Sequence, residues 1–148
     1  MATRKHTCQM EFCTDAARVF RMLITPSDIR GWWDAARAIV IPETNGIWMA
    51  AWGEDEDRPD YVTAFRIRVF DPPRRLVLSD PHYLAKSGPL PFQADFVTEF
   101  TVEPTQHGCI LRVVQDGFPT DSIADKFYAS CETGWQNTFE GIRRFLGE

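Results

Sequence analysis

The chain has 148 residues, of which 44% are hydrophobic, so it is long enough to bury the core of one ordinary domain. The formal net charge is −5 and the sequence contains no block of Lys or Arg, which argues against nucleic acids and anionic membrane surfaces as partners. We find neither a signal peptide nor an apolar run that would span a membrane, and we therefore expect a cytoplasmic protein.

The first part of the chain predicts one strand followed by two short helices. We predict the strand from Thr3 to Cys13, after which Thr14 and Asp15 can cap a helix. Pro26 begins the second helix, because proline suits a first helical turn. Apolar side chains with helical spacing in the first helix are Ala16, Val19, Phe20 and Leu23.

The central part of the chain predicts a run of about six antiparallel strands. Asn45-Gly46 has the left-handed preference of a hairpin turn, and Pro72-Pro73 marks another turn. The predicted strands are Ala38 to Ile41, Ile47 to Gly53, Tyr61 to Phe70, Arg75 to Ser79, Phe92 to Glu103 and Cys109 to Gly117. Because side chains alternate along a strand, we expect the members of each of the following sets to share one face of their strand: Tyr61, Thr63, Phe65, Ile67 and Val69; Phe96, Thr98, Phe100 and Val102; Leu111, Val113 and Gln115.

The last segment, from Asp121 to Glu148, predicts one helix about 40 Å long. Its apolar stripe comprises Ile123, Phe127, Cys131, Trp135, Thr138, Phe139, Ile142, Phe145 and Leu146. Because most of the preceding chain has the pattern of strands, this helix must cover a whole sheet, and the predicted class is α+β. Gly134 and Gly141 interrupt the helix on one side, either for close packing against the sheet or to leave room for a ligand.

Metal-binding patterns do not occur in the sequence. The four cysteines form no C-x-x-C pair and have no His at ligand spacing, so we expect thiols in a reducing compartment rather than a zinc site. The acidic stretch from Glu54 to Asp60 lacks the spacing of a calcium loop, and a solvated hairpin connection is expected there. We expect no metal and no cofactor.

Catalytic motifs of hydrolases, metalloproteases and phosphate-binding loops do not occur either. We expect His6 and His107 to face solvent. Asp80 and His82 share a face of an extended strand, where such a pair could act as a general base at a pocket. The simpler interpretation is that Asp80 and His82 are two exposed polar residues at a strand end, and we assign no residue a catalytic role.

Several short motifs occur in an order that resembles a known superfamily. They are the Phe20, Leu23, Thr25 and Pro26 run, the Trp32-Trp33 pair, the strand and turn from Asp71 to Val77, the Val113, Gln115, Gly117 and Phe118 run, and the Gly134-Trp135 pair. The pattern covers residues 12–146 and resembles the START-like (SRPBCC) superfamily, in particular the branch named for the activator of heat shock protein 90 ATPase. The resemblance implies one helix-grip domain over residues 1–148, with a curved antiparallel sheet of about six or seven strands around the C-terminal helix.

The resemblance also implies a cavity between sheet and helix, and the function that we predict is binding of a small apolar molecule there. The residues expected to bind the ligand are Trp32, Trp33, Trp48, Trp52, Phe65, Ile67, Leu78, Asp80, Phe96, Thr98, Phe100, Val113, Gln115, Trp135 and Phe139. Trp32 and Trp33 cannot both point inward from one helix face, so one is expected at the mouth. Gln115 should bond either Thr98 or a polar group of the ligand.

Two other functions remain open at this stage. One is a chaperone-associated module that acts on heat shock protein 90, although the resemblance extends only to the C-terminal domain of the activator. The other is a cyclase- or hydratase-like enzyme that uses the same cavity, with Asp80, His82 or Gln115 as its polar groups. The sequence also leaves open whether the protein forms a homodimer.

Overall fold

The structure is a computed structural model that describes residues 2–93 and 95–148. Seven strands form one antiparallel sheet in the order β1-β7-β6-β5-β4-β3-β2. The strands are β1 (Thr3–Phe12), β2 (Arg37–Val40), β3 (Ile47–Trp52), β4 (Tyr61–Asp71), β5 (Arg75–Ala85), β6 (Val97–Pro104) and β7 (Cys109–Pro119). The helices are α1 (Ala16–Ile24), α2 (Pro26–Trp33) and α3 (Asp125–Phe145), and a 3-10 turn, Ser122–Ala124, precedes α3. The predicted α+β class, with two short helices and one long C-terminal helix, is confirmed.

The core lies between the three helices and the inner face of the curved sheet. Asp15 caps α1 as predicted, since its side chain accepts a hydrogen bond from the Arg18 amide at 2.9 Å. Pro26 occupies the first turn of α2, where a backbone N–H has no partner within the helix, so proline loses no hydrogen bond there. The largest fully buried side chains are Trp48, Phe12, Phe118, Phe139, Met22, Leu23, Ile29, Ile67, Leu76, Leu78, Leu111 and Ile142.

A β-bulge in β5 changes which residues face inward. Phe65 of β4 stands opposite two residues, Asp80 and Pro81, because the pairing register shifts at this point. Asp80 has a φ of 53°, and its exposed carboxylate lies 3.8 Å from the guanidinium of Arg66. Beyond the bulge Pro81 and Tyr83 turn inward. The inward position that alternation predicts for Asp80 is therefore wrong.

A second register shift lies in β4, between Ile67 and Val69. Beyond it Phe70 packs on the core, with its ring centroid 5.9 Å from that of Phe20. Val69 consequently turns to the outer face, although alternation predicts that it shares a face with Ile67. One extra residue in a strand moves each later side chain of that strand to the opposite face of the sheet.

Two strand boundaries differ from the prediction by more than two residues. β5 continues to Ala85 instead of ending at Ser79, and β6 begins at Val97 rather than at Phe92. Ala94, inside the predicted strand, lies outside the described residues.

α3 is shorter than predicted, at about 32 Å for its 21 residues. The Asp121 side chain accepts a hydrogen bond from the Ile123 amide at 3.3 Å and so starts the 3-10 turn rather than α3. Ile123 is 53% exposed in that turn and does not belong to the apolar stripe.

His6 is buried, with 4% of its surface exposed, whereas the sequence predicts a solvent-facing side chain. Even-numbered residues of β1, such as His6 and Phe12, lie on the inner face of the sheet. The imidazole stacks on Tyr128 of α3, with ring centroids 3.8 Å apart. Strand parity therefore decides the burial of His6. His107 is exposed, as predicted.

Candidate functional site

A cavity of about 450 Å³ lies between the inner face of the sheet and α3. Its walls come from β3 to β7, from the end of α2 and from the part of α3 that precedes Phe139. Tyr61 and Tyr83 line the cavity and are each 39% exposed, with ring centroids 6.4 Å apart. These two rings mark the opening to solvent.

The two glycines of α3 have different surroundings. A Cβ atom on Gly134 would meet no atom within 4 Å, and Gly134 lines the cavity. A Cβ atom on Gly141 would lie 2.7 Å from the carbonyl oxygen of Trp32, which is too close for an alanine without movement of α2 or α3. Gly141 therefore permits close helix packing, while Gly134 leaves open space below the helix.

The tryptophans form one cluster around Trp33, the last residue of α2. The ring centroid of Trp33 lies 5.2 Å from that of Trp32, 5.6 Å from Trp48, 5.1 Å from Trp52 and 6.2 Å from Trp135. Trp33 faces the cavity and Trp32 faces the core, where 3% of its surface is exposed. Both side chains thus point inward, with their rings stacked, and neither lies at the opening that Tyr61 and Tyr83 mark, so the prediction that one of them lies at the mouth is wrong.

Each of the five indole N–H groups already donates to an acceptor within the protein. The acceptors are the Met22 carbonyl for Trp32 at 2.9 Å, the Thr138 hydroxyl for Trp33 at 3.0 Å, the Leu23 carbonyl for Trp48 at 2.8 Å, the Trp33 carbonyl for Trp52 at 3.1 Å and the Gln115 side-chain oxygen for Trp135 at 2.9 Å. The indoles that line the cavity thus offer a ligand apolar ring surface and no free donor.

Gln115 joins α3 to the floor of the cavity. Its side-chain oxygen accepts from Trp135, and its side-chain nitrogen donates to the Thr98 hydroxyl at 3.2 Å. Gln115 of β7 and Thr98 of β6 are paired across the sheet, and both line the cavity. Of the two alternatives that the sequence left open for Gln115, the bond to Thr98 is observed.

Among the described residues of the cavity wall, none carries a formal charge at neutral pH. Burial raises the pKa of Tyr83, and burial together with the negative charge of Asp60 raises the pKa of Tyr61. Burial also raises the pKa of Cys131 to about 11, so its thiol stays protonated and is a poor nucleophile. The cavity is therefore a neutral environment.

Ten of the fifteen residues predicted to bind a ligand line the cavity, namely Trp33, Trp48, Trp52, Phe65, Leu78, Phe96, Thr98, Phe100, Gln115 and Trp135. The other five lie elsewhere. Trp32, Ile67, Val113 and Phe139 are buried in the core beside the cavity, and Asp80 points outward because of the β5 bulge. His82, the partner of Asp80 in the catalytic hypothesis, is exposed as well.

Nine lining residues are missing from the predicted set: Tyr61, Thr63, Pro81, Tyr83, Phe127, Ser130, Cys131, Gly134 and Thr138. Alternation in β4 already places Tyr61 and Thr63 on the face of Phe65, and the apolar stripe of α3 contains three more of the nine. Those signals were sufficient to find them. Pro81 and Tyr83 have no such signal, since their orientation depends on the bulge.

Within residues 2–93 and 95–148, no group of three or more His, Cys, Asp or Glu side chains is placed to hold a metal ion. The helices of these same ranges include none that is long and apolar enough to cross a bilayer.

A curved antiparallel sheet that grips one long helix, with an apolar cavity between them, defines a START-like domain of the helix-grip type. Residues 14–147 match the family model described as activator of Hsp90 ATPase homolog 1-like protein, and the chain belongs to this family. The predicted resemblance is thereby confirmed.

Solved structures show the same fold at low sequence identity. Protein MLL2253 of Mesorhizobium loti is 22% identical, with 97% of each chain covered and a TM-score of 0.77. A protein of Rhizobium leguminosarum is 16% identical, covering 99% of this chain and 95% of its own, with a TM-score of 0.76. CalU16 of Micromonospora echinospora is 14% identical, covering 99% and 87%, with a TM-score of 0.66. A search of curated proteins finds no match. At these identities the structural likeness establishes the fold alone.

Proposed function

We propose that this domain binds a neutral, largely apolar small molecule in the cavity between the sheet and α3. The observation that carries the proposal is the composition of the wall, which is mainly aromatic and, in its described part, uncharged. Apolar surface that leaves water on binding contributes about 25 cal/mol per Å². A charged ligand group would lose its hydration there without gaining an ionic partner.

The size of the cavity supports the same proposal. Its volume of about 450 Å³ is within the range of sites that enclose drug-sized molecules, roughly 300–1,000 Å³. Trp33, Trp52 and Trp135 contribute their indole rings to the wall, and flat rings make favourable stacked or edge-to-face contacts with aromatic side chains. A planar ring system fits this lining better than a flexible chain.

Neither alternative function has an observation that favours it over ligand binding. Of the polar groups named for an enzyme, Gln115 lines the cavity, but Asp80 and His82 lie on the exposed side of β5. The family is named for a chaperone activator, and that name alone supports a chaperone role here.

The proposal predicts a preference for neutral over anionic probes. The neutral dye N-phenyl-naphthylamine and its sulfonated analogue anilinonaphthalene sulfonate share one ring system and differ in charge. We expect the neutral dye to bind at least about tenfold more tightly, because the sulfonate would lose hydration without a cationic partner. Fluorescence titration of the purified protein with each dye measures both values of Kd.

Gly134 provides a matched pair of variants for the same titration. Gly134→Leu should place its side chain in the cavity and weaken binding of the neutral dye at least about tenfold, whereas Gly134→Ala should leave binding nearly unchanged. Thermal melting of both variants checks that the fold is intact. The proposal fails if the neutral dye does not bind, or if it binds folded Gly134→Leu as well as it binds the wild type.

A further inference from the structure

The hydrogen bond between Trp135 and Gln115 determines which way round the Gln115 amide lies. An indole N–H can only donate, so the group 2.9 Å away from it must be the amide oxygen. The amide NH₂ then points to Thr98, 3.2 Å away. This orientation follows from the chemistry of the two partners and not from the assignment of nearly identical atoms.

The same reasoning assigns the donor and the acceptor in the bond between Gln115 and Thr98. Because the Gln115 nitrogen can only donate, the Thr98 oxygen is the acceptor and its own hydroxyl proton is directed elsewhere. The Gln115 NH₂ also carries a second proton that this bond does not use. Thr98 and Gln115 are cross-strand neighbours on the cavity floor, and the two donor atoms lie 3.2 Å apart.

Neither proton has an acceptor within hydrogen-bonding distance among residues 2–93 and 95–148. Thr98 is 2% exposed, and a buried donor without a partner is unfavourable. An acceptor that comes from within the cavity would therefore complete the hydrogen bonds of the Thr98 hydroxyl. A carbonyl oxygen suits two adjacent donors, because its two lone pairs lie in one plane.

We propose that the ligand of this cavity is a neutral molecule with a carbonyl group, whose oxygen accepts hydrogen bonds from the Thr98 hydroxyl and the Gln115 amide. This inference rests on the proposed function and names the ligand class for the same site. The aromatic walls hold the ring system, and the Thr98–Gln115 donor pair fixes its orientation. The absence of charge from the described wall favours a ketone, ester or amide over a carboxylate.

Fluorenone and fluorene test the inference, since they share a flat three-ring frame and differ by a carbonyl in place of a methylene. Values of Kd for both come from quenching of tryptophan fluorescence in wild type, Thr98→Val and the control Thr101→Val. Thr101 lies on the same strand as Thr98 but on its outer face, away from the cavity. We expect the preference for fluorenone over fluorene to fall about tenfold in Thr98→Val, equivalent to ~1.4 kcal/mol, and to stay unchanged in Thr101→Val.

Infrared spectroscopy of bound fluorenone gives a second readout that needs no variant. In the wild type the carbonyl stretch should move to lower frequency than in an apolar solvent, as hydrogen bonding weakens the bond. If neither compound binds, the proposed function itself fails. If both bind but the stretch does not move, or if Thr98→Val keeps the full preference, the carbonyl inference is overturned and the apolar binding site stands. A water that satisfies both donors and excludes the carbonyl gives that same unshifted stretch.

Discussion

His6 connects β1 to α3 through a bond that determines its tautomer. A carbonyl oxygen only accepts, so Nε2 carries the proton in the 2.8 Å bond to Tyr128. Nδ1 is then unprotonated and lies 3.7 Å from the carboxylate of Glu132. Burial lowers the pKa of His6, the charge of Arg4 acts in the same direction, and the bond to Tyr128 and the charge of Glu132 oppose them without reversing the shift.

The lowered pKa of His6 predicts a loss of stability in mild acid. Because the unfolded chain takes up the proton first, this contribution is complete above the ordinary histidine pKa of 6.5 and is lost as the pH falls from there to the lower folded value. Below the folded pKa the imidazole is protonated in both the folded and the unfolded chain, so the loss does not grow further. We expect the change in unfolding free energy between about pH 8 and about pH 5.5 to be smaller in His6→Gln than in His82→Gln. Urea denaturation at both pH values measures it, and equal changes in the two variants would contradict the prediction.

At the scale of the element, α3 has two parts with different tasks. Residues such as Phe127 and Trp135 in its earlier part face the cavity, whereas Phe139 and Ile142 are fully buried in the core. The later turns of the helix are therefore held by the core. The earlier turns are held on β1 instead, where Tyr128 stacks on the imidazole of that strand, and their cavity-facing side chains form the wall of the binding site.

The same division predicts opposite effects for two alanine substitutions in α3. Gly134→Ala should stabilise by up to about 1 kcal/mol, since alanine favours the helix and the new Cβ meets open space. Gly141→Ala should destabilise by about 1–3 kcal/mol, because its Cβ would press on the Trp32 carbonyl 2.7 Å away. Guanidinium denaturation compares both with the wild type. A gain of stability in Gly141→Ala would show that α2 and α3 are not in close contact.

At the scale of the whole molecule, the sheet serves the core and the cavity with the same face. Phe100 of β6 is 3% exposed, packs edge-to-face against Trp135 at 5.8 Å between ring centroids, and also lines the cavity. Stability and binding are thus coupled at this position. Side chains that complete the core on one side shape the ligand site on the other.

Phe100→Ala should lower the free energy of unfolding by about 3–5 kcal/mol, the usual range for a buried phenylalanine. The matched control is Thr101→Ala, which changes the neighbouring position on the opposite face of β6 and should stay within about 0.5 kcal/mol of the wild type. Chemical denaturation of the three proteins measures the difference. Similar curves for both variants would mean that the faces of β6 are assigned wrongly.

Most of the fold could be predicted from local patterns. Phe100 and Val102 alternate along β6 and Ile142 continues the apolar stripe of α3, so their inward positions follow from the two periods of strands and helices. Ten members of the cavity wall were predicted from such patterns together with the family resemblance, which implied the cavity. Prediction failed at Val69 and Asp80, where a bulge exchanges the faces of a strand.

The sequence by itself determined the class of fold, the order of the elements and the faces of the regular strands, because these depend on residue type and spacing along a few turns or pairs. The tertiary structure alone decided the outward turn of Asp80, the pairing of all five indole N–H groups and the space below Gly134. The physical reason is that each depends on contacts between distant segments: a bulge arises from the register of two strands, and a donor is free or paired according to which acceptor the fold brings within hydrogen-bonding distance.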